Sequence, residues 1–517
     1  MCSSTYSYHS YIENSGALGV IYYPDLKRTG DQLDKRIYNS FFTTQDRLDT
    51  AKFGFSISYT QASHLKELIE KGHLKVHAKI RAKHIDGNLE VITTKIKGKE
   101  SIEREIIITA HLCHPSPGAN DNASGAAGLL ELARALKQLI DQKTLDPPKR
   151  TIRFVWVPEF IGTVPWMEYH EAKIKNAISC INLDMIGEHR LKIGHPLEVN
   201  LAPHSTPSIL NDIASLCIKK IADHPKGIAI NGTKVPMSYR LMSFEGGSDH
   251  VLFADTYFGI PSLMFGHADP YYHSSMDTVE YCDPTELKRV IGMGLSISYI
   301  LSILDDELIN ELWPIIHEGI YNRLGKTIKI LEDIKLNIET PKELSKKEDV
   351  IELVLLGTDL IQAFYDYELN AFKWLEDVIF SSEIVNLLKS TLQEISEIIE
   401  IHNLSWDKQM RNYSGDKEIE KVEPKLRLTY KPNFNGPFAI DRLVNLSKNP
   451  LFKEFCESLK SEFLGVLSEL INLLGKGYSI LRVTSFLSLE YKKLVFPNKI
   501  MKLVNYLVEE NIIKLFT

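Results

Sequence analysis

The sequence HLCHPSPGANDNASGAAGLLELARAL occupies residues 111–136 and follows the apolar run EIIITA at residues 105–110. The apolar run predicts a buried strand, and the prolines and glycine after His111 predict a loop. The second half predicts an amphipathic helix, because its apolar residues recur on one helix face: Leu129, Leu132, Ala133 and Leu136. Histidine and aspartate side chains therefore lie at the carboxyl end of a predicted strand, where open α/β sheets bind their ligands.

The length and composition of the chain indicate a globular protein of several domains. At about 150 residues per domain, a chain of 517 residues predicts two to four domains. The net charge is -7 and the isoelectric point is near 6.2, so nothing in the overall charge predicts nucleic-acid binding. We find no secretory signal and no apolar run of about 18 residues, so we expect no membrane span. The 6 cysteines are scattered, which favours reduced thiols and a cytoplasmic location.

The character of the predicted elements divides the chain into four parts. Strands and one helix mix at the start, strands alternate with helices in the middle, and strand signals nearly vanish beyond residue 305. The alternation predicts an α/β fold class with a mixed, mostly parallel sheet and helices on both faces. The predicted parts are a small α/β unit at 1–88, a catalytic domain at 89–304, a helical region at 305–435, and a helical or winged-helix-like module at 436–517.

Three segments carry more specific structural predictions. Residues 77–82 alternate like a strand, and residues 164–175 predict a single helix. Pro424 to Pro437 predicts a loop between long helices, because the segment is rich in proline, asparagine and glycine.

Nucleic-acid binding by the last module is not expected, since its lysines form only a modest patch: Lys492, Lys493, Lys499 and Lys502.

Ligand-type residues recur where predicted strands end. Glu159 and Asp184 each follow a strand, His273 lies in the sequence YYHSSMDT, and a glycine-rich loop precedes the sequence Ser248-Asp249-His250. Zinc takes imidazole and carboxylate ligands in proteins, so the set predicts a metal site. Taken singly, each residue also has a structural interpretation: Asp121 as a helix N-cap, Asp184 as a turn residue, His273 as an exposed loop residue, and Asp249, His250 and Asp277 as supports.

The motifs and their order resemble the co-catalytic zinc aminopeptidases of the bacterial leucyl aminopeptidase type, over about residues 89–301. The resemblance implies that His111 and Asp184 bind one zinc ion and that His273 binds another. It further implies that Asp121 bridges the two ions and that Glu159 is the general base. A separate segment, GFSISYTQASHLKELIEKG at 54–72, resembles part of a protease-associated domain.

Two residues depart from the pattern of that family. Phe160 stands where the family has a second glutamate that binds zinc, and Cys113 stands where it has an aspartate that orients the first histidine. His114 or Glu159 would complete the metal site, or the Cys113 thiolate would bind the ion. The remaining alternatives are a site with one ion and a degenerate site.

These observations predict a zinc-dependent, aminopeptidase-like hydrolase that acts on a peptide or small amide and holds one or two zinc ions. Glu245, just before the glycine-rich loop, is a weak candidate for binding the substrate amino group. The helical region is a candidate surface for homo-oligomer formation. The alternatives are a binding or scaffold protein on a decayed peptidase fold, and an amidohydrolase that acts on a modified amino acid or a sugar amide.

Overall fold

A seven-stranded mixed sheet forms the centre of the computed structural model, with strand order β3-β5-β4-β6-β9-β7-β8. The strands are β3 (Ile92–Ile96), β4 (Ile106–His111), β5 (Ile152–Val157), β6 (Ser179–Leu183), β7 (Leu197–Asn200), β8 (Tyr239–Met242) and β9 (Ser262–His267). The model describes residues 16–38, 52–72, 74–83, 85–100, 104–223, 236–340, 347–379, 382–410, 413, 416–437 and 462–516.

The middle of the sheet is parallel and its two flanks contain the antiparallel pairs. β4 pairs in parallel with β5 and β6, and β6 pairs in parallel with β9. β3 runs antiparallel to β5, and β7 runs antiparallel to β9. All residues of β4 and β6 are buried, as expected for strands covered on both faces. Their carboxyl ends therefore meet at one edge of the sheet, where His111 and Asp184 lie.

Helices cover both faces of the sheet, which confirms the predicted fold class. One face packs against α3 (Gly125–Asp141), α7 (Leu210–Ala222) and α9 (Pro284–Ile303). The other packs against α4 (Thr163–Tyr169) and α8 (His250–Ala254). Successive residues of β4 serve the two faces, since Ile106 and Ile108 pack on the first side and Ile107 on the second.

The structure of this domain differs from the sequence analysis at three places. The helix expected over 164–175 is two helices, α4 and α5 (Glu171–Ile174), because the backbone at His170 leaves the helical conformation. Strand β8 was not predicted, and its residues Tyr-Arg-Leu-Met do not alternate cleanly. A further short helix, α6 (Arg190–Ile193), was also not predicted.

The described residues of the N-terminal unit form short strands and helices. It contains a parallel pair of strands, β1 (Gly19–Tyr22) and β2 (Phe53–Ser56), with helices α1 (Leu26–Thr29) and α2 (Tyr59–Lys71). A capping box starts α2, in which Ser58 accepts from the backbone of Gln61 and Gln61 accepts from the backbone of Ser58. The strand predicted at 77–82 is wrong, because these exposed residues form no regular structure and pair with no other strand.

Long helices follow the sheet domain. They are α10 (Asp306–Glu339), α11 (Lys347–Ile379), α12 (Ser382–Met410), α13 (Asp416–Leu426), α14 (Glu462–Gly475), α15 (Ile480–Glu490) and α16 (Pro497–Glu509). The loop predicted from Pro424 to Pro437 begins too early, because Pro424 lies inside α13. It also contains a strand, β10 (Tyr430–Pro432), which pairs antiparallel with β11 (Ile513–Leu515). No described helix is long and apolar enough to cross a bilayer.

Buried charged side chains join the helices to the sheet domain. The Arg323 guanidinium on α10 donates to Asp212 of α7 at 2.8 Å and to Glu368 of α11 at 2.6 Å. Arg150, just before β5, donates to the carbonyl oxygens of Leu304 and Val378 at 2.8 and 2.7 Å. The apolar core is also continuous, extending from Ile106 to Ile513. The four-part division of the chain stays a prediction.

Candidate metal centre

His111 ends strand β4 and faces two carboxylates. Its Nε2 atom lies 3.2 Å from Asp121 Oδ1 and 3.3 Å from Asp184 Oδ1, and all three side chains are buried. Its Nδ1 atom lies 2.9 Å from the backbone oxygen of Cys113. A carbonyl oxygen only accepts hydrogen bonds, so Nδ1 carries the proton of the neutral ring and Nε2 presents its lone pair to the carboxylates. In that form the three groups make a donor set that suits a cation, whereas a ring protonated at Nε2 would itself donate to the carboxylates.

Charge among these groups shifts their pKa values in opposite directions. Burial by itself lowers the pKa of His111, but hydrogen bonding to Asp121 and Asp184 outweighs it and the net pKa is raised. Burial raises the pKa of Asp121, yet contact with His111 and His273 brings the net pKa below its usual range. The opposite shifts show that the cluster favours ionised carboxylates next to a positive charge, and a bound metal ion would supply that charge in place of the His111 proton.

Asp121 is held by the loop that it belongs to. It lies in a short π-helical turn, Ala119–Ser124, where its own backbone leaves the helical region at φ -104° and ψ 99°. The Asp277 carboxylate accepts from the backbone of Asn120 at 2.7 Å and of Asp121 at 2.9 Å. A Cβ at Gly118 would lie 2.0 Å from the Asp121 carbonyl oxygen, so the close approach of the turn requires glycine there.

Asn122 joins this turn to the end of strand β6. Its side-chain amide donates to the Leu183 carbonyl at 3.0 Å, and its oxygen accepts from the backbone of Met185 at 3.0 Å. Asp184 lies between these two residues in sequence. The hydrogen bonds thus fix the spacing between Asp121 and Asp184, the two carboxylates on either side of His111.

Glu159 lies at the end of β5 and is partly exposed. One carboxylate oxygen forms a group with ligand atoms of His111 and Asp184 in which all atoms lie within 4.8 Å of one another. Burial raises the pKa of Glu159, and nearby Asp184 adds to the shift while His111 opposes it. The Glu159 backbone donates to Cys113 Sγ at 3.0 Å, so the thiol supports this loop.

Phe160 turns away from the metal-binding groups. It has a positive φ of 55°, and its side chain packs against the apolar cluster on the second face of the sheet. Its backbone donates to Asp249 Oδ1 at 2.9 Å, and Thr163 Oγ1 donates to the same oxygen at 2.7 Å. Burial raises the pKa of Asp249 to about 6. The structure thus places Asp249 beneath the Glu159 loop as a support.

Two further histidines, His273 and His114, also approach Asp121. His273 Nε2 lies 3.1 Å from Asp121 Oδ2, and His114 Nδ1 lies 3.5 Å from Asp121 Oδ1. His114 also forms a second group with His111 and Asp121 whose ligand atoms lie within 4.8 Å. Both oxygens of Asp121 therefore face imidazole nitrogens, which fits a carboxylate that bridges two cations.

Tyr38 of the N-terminal unit contacts these two histidines, and the sequence analysis missed it. Its hydroxyl forms a hydrogen bond with His114 Nε2. Its ring stacks on the His273 ring with centroids 5.2 Å apart. No sequence pattern marks Tyr38, because it comes from a segment more than 70 residues before His111 and acts through a long-range contact.

Glu245 lies in neither metal-binding group of the described residues. Its backbone oxygen accepts from His250 Nε2 at 2.8 Å, and burial lowers the pKa of His250 to about 4. The structure thus places His250 as a neutral support of the glycine-rich loop. A substrate role for the Glu245 carboxylate stays a prediction.

A cavity of about 510 Å³ opens beside the cluster. Its wall combines polar groups of the site with apolar residues of the loop after β4: His111, Leu112, Cys113, His114, Pro117, Gly118, Ala119, Asn122, Ala123, Asp277 and Thr278. Histidine and carboxylate groups at the carboxyl edge of an α/β sheet, next to such a cavity, define a site of the metal-dependent hydrolase class.

Residues 91–295 match the model of peptidase family M28. A Clostridium acetobutylicum protein with an aminopeptidase-like domain is 36% identical over 107 residues, which are 21% of this chain and 22% of that protein. Aminopeptidase YwaD of Bacillus subtilis is 26% identical over 196 residues, 36% of this chain and 38% of that protein. These findings confirm the predicted relationship to zinc aminopeptidases.

Solved structures of aminopeptidases also resemble the chain. A zinc aminopeptidase from Bacillus subtilis is 21% identical with a TM-score of 0.40, covering 58% of this chain and 67% of that chain. An aminopeptidase from Aneurinibacillus is 22% identical with a TM-score of 0.33, covering 56% of this chain and 64% of that chain. The chain spans well under two thirds of the curated relatives named above, at 22% and 38% of their lengths.

Proposed function

We propose that the chain is a zinc-dependent aminopeptidase that removes an N-terminal amino acid from a peptide or small amide. The observation that carries the proposal is the position of His111 Nε2, which lies within 3.3 Å of two buried carboxylates while its other nitrogen is occupied by a carbonyl. A metal-binding histidine typically donates its second ring N–H to a carbonyl or carboxylate. The Cys113 backbone supplies that acceptor here and makes up for the missing aspartate.

The donor set fits zinc at two adjacent positions. His111 and Asp184 would hold one ion, and Asp121 would bridge to a second ion held by His273. Phe160 stands where the family has a zinc-binding glutamate. His114 would take the place of that glutamate, since His114 Nδ1 already faces Asp121. When bound, zinc would polarise the substrate carbonyl and lower the pKa of a water molecule.

The residues of the chain would move the proton and exclude bulk water. Glu159, next to His111 and Asp184, would accept a proton from the attacking water and pass it to the departing amine. Asp249 keeps the Glu159 loop in place through the Phe160 backbone. Leu112 and Pro117 in the cavity wall would contact the apolar part of the substrate.

The zinc content of purified protein tests the metal site. We expect close to two zinc ions per chain in the wild type and a sharp loss in Asp121→Asn, measured by elemental analysis without added metal. Asp141→Asn is the matched control, because Asp141 is an exposed aspartate at the end of α3 that pairs with Lys137. One ion per chain would support the mononuclear alternative.

Hydrolysis of a panel of aminoacyl amides tests the reaction. We expect turnover of amides with a free amino group and little turnover of the same amides after N-acetylation. Preference for the acetylated compounds would support the amidohydrolase alternative. The scaffold alternative would hold if no compound turns over, no transition metal is present and chelators change nothing.

The cellular location and the partners are also proposals. Cys113, Cys180, Cys217 and Cys282 are free thiols in the structure, which supports the proposed cytoplasmic location. Homo-oligomer formation through the long helices stays a prediction that size-exclusion chromatography with light scattering would test.

A further inference from the structure

We propose that Tyr38 is a positioning residue for the second metal ion and that it acts by fixing the orientation of His114. The proposal rests on the proposed function, since it assumes that His114 binds that ion. It assigns a metal-site role to the N-terminal unit, which lies outside the matched family region at 91–295.

The hydrogen bond between Tyr38 and His114 selects one form of the imidazole. The Tyr38 hydroxyl contacts His114 Nε2, while His114 Nδ1 faces Asp121. If Nε2–H donates to the tyrosine oxygen, Nδ1 presents its lone pair to the space beside Asp121. Cys113 has the same effect on His111. Its carbonyl oxygen accepts a hydrogen bond from Nδ1–H, which leaves Nε2 for the metal.

Tyr38 is itself held by the loop that carries His273. The Tyr38 backbone N–H donates to the His273 carbonyl at 3.0 Å, and Ile37 forms an antiparallel bridge with Ser274. The Ser275 backbone donates to the Arg36 carbonyl at 2.8 Å. The buried Lys35 ammonium donates to the Pro270 carbonyl at 3.0 Å. The segment 35–38 is thus docked on the His273 loop by backbone hydrogen bonds around a single β-bridge.

Tyr38 therefore contacts both His114 and His273. The hydroxyl bonds to His114, and the ring stacks on His273 at an interplanar angle of 24°. His114 lies in the loop after β4, and its ring contacts Tyr38, His273 and Asp121. The N-terminal unit supplies one such contact through this single tyrosine.

Docking of the N-terminal unit and binding of the second ion should stabilise each other. Thermodynamic linkage requires that, if Tyr38 strengthens zinc binding, zinc also strengthens the docking of residues 35–38. A purely structural tyrosine would pack on the domain equally well with and without zinc. This difference separates the two roles of Tyr38.

The test compares Tyr38→Phe with wild type, because phenylalanine keeps the ring and its stacking but removes the hydroxyl. We expect affinity for the second zinc ion to fall about 10-fold to 100-fold while the first ion stays bound, as measured by competition with a chromogenic chelator. The absorption spectrum of the Co²⁺-substituted protein should change in parallel. Tyr257→Phe is the matched control, since the Tyr257 hydroxyl bonds to Glu171 on the surface, away from the cluster.

A double mutant tests whether Tyr38 acts through His114. His114→Ala should lower the second affinity, and adding Tyr38→Phe should lower it little further. Full additivity of the two changes would overturn the proposal, as would equal zinc affinities in Tyr38→Phe and Tyr257→Phe. Hydrogen exchange of wild-type residues 35–38 needs no variant: protection should rise with zinc, and no change would count against the linkage.

The same experiments separate this inference from the proposed function. Wild type that binds two zinc ions and hydrolyses aminoacyl amides, with Tyr38→Phe unchanged in zinc affinity, overturns only the role of Tyr38. If Tyr38→Phe weakens zinc binding as expected but the wild type hydrolyses none of the amides, only the proposed function is overturned. Wild type that binds no zinc overturns both.

Discussion

The N-terminal unit and the C-terminal helices both contact the sheet domain near the site, but they contact different parts of it. The N-terminal unit contacts the cluster directly, through Tyr38 on His114 and His273. The described C-terminal helices instead contact the loop before Asp249. The Glu490 carboxylate at the end of α15 accepts from the backbone of Phe244 at 3.0 Å and of His204 at 2.8 Å.

Further contacts attach this loop to the helices. Ser243 Oγ donates to the Glu490 carbonyl at 2.6 Å, and the Tyr491 hydroxyl donates to the Phe244 carbonyl at 2.9 Å. Gly465 of α14 lies against the backbone of Phe244 and Glu245. From there the chain leads to Asp249, which bonds to the Phe160 backbone next to Glu159.

The comparison teaches that two accessory regions can affect different parts of one reaction. Changes in the N-terminal segment should alter metal binding, because the segment contacts histidines. Changes in the C-terminal helices should alter the loop that carries the base and leave the metal in place, because their contacts end at backbone groups of a support loop. The four predictions below test this separation.

Glu159→Gln should have the largest effect. Loss of a general base typically lowers the rate about 10²-fold to 10⁴-fold, so we expect such a fall in kcat with unchanged zinc content. Steady-state kinetics and elemental analysis measure the two quantities. Glu168→Gln, an exposed glutamate on α4, is the control. A loss of zinc in Glu159→Gln would show that Glu159 is a ligand and would contradict its role as base.

Glu490→Ala should come next. The variant leaves the backbone N–H groups of Phe244 and His204 without their acceptor, and each such loss costs about 1–3 kcal/mol when the group is buried. We expect a lower free energy of unfolding in urea and a lower kcat, with normal zinc content. Glu509→Ala on the exposed side of α16 is the control. Zinc loss in a folded Glu490→Ala protein would break the separation between the two regions.

Gly465→Ala should have a smaller effect on the same loop. A Cβ there would lie 2.4 Å from the Phe244 carbonyl oxygen and 2.7 Å from Glu245 Cα, so helix and loop must move apart. Overpacking of this kind costs about 1–3 kcal/mol, which thermal unfolding would detect. Gly325→Ala is a matched control, since a Cβ at Gly325 meets nothing within 4 Å and alanine favours the helix by up to about 1 kcal/mol. Equal stability of the two variants would contradict the close contact.

Glu469→Gln should change the pH dependence of stability, with the smallest effect. Burial and the neighbouring Glu490 raise the pKa of Glu469 to about 8, although hydrogen bonds from Ser205 oppose the shift. Between pH 4.5, the ordinary pKa of glutamate, and about pH 8, the native protein keeps a proton that the unfolded chain releases, so this group makes stability fall as pH rises.

The glutamine variant removes that proton exchange. Relative to wild type, Glu469→Gln should therefore gain about 1 kcal/mol or more of stability between pH 6 and pH 8. Urea unfolding at several pH values measures the difference, and Glu509→Gln should track wild type throughout. A constant difference between Glu469→Gln and wild type across this range would be inconsistent with the raised pKa.

The sequence predicted the parts of the fold that depend on local pattern. The apolar runs of β4 and β6 and the helical spacing of Leu129, Leu132 and Leu136 are strong local signals, and those elements form as expected. The exceptions depend on context. Residues 77–82 alternate but pair with no other strand, and Pro424 lies inside a helix that the pattern would end. A local pattern does not show whether a partner strand is present or whether a helix continues through a proline.

The site shows the same division. His111, Asp121, Asp184, Glu159 and His273 follow from motifs at strand ends, and the structure brings all five together. The Cys113 carbonyl and Tyr38 do not follow from the sequence. A backbone oxygen has no residue signature, and a tyrosine from another unit gains its position only through the docking of segment 35–38.

The bond between Phe244 and Glu490 also sets an order in time. Its two residues are 246 positions apart, and a ribosome adds about 5–20 residues per second, so the glutamate is made roughly 12–50 seconds after the phenylalanine. Throughout that interval the Phe244 amide lacks its native acceptor, although the last strand of the central sheet, β9, is complete once His267 has been added. On the ribosome, the sheet can therefore form well before the support loop of its catalytic base is complete.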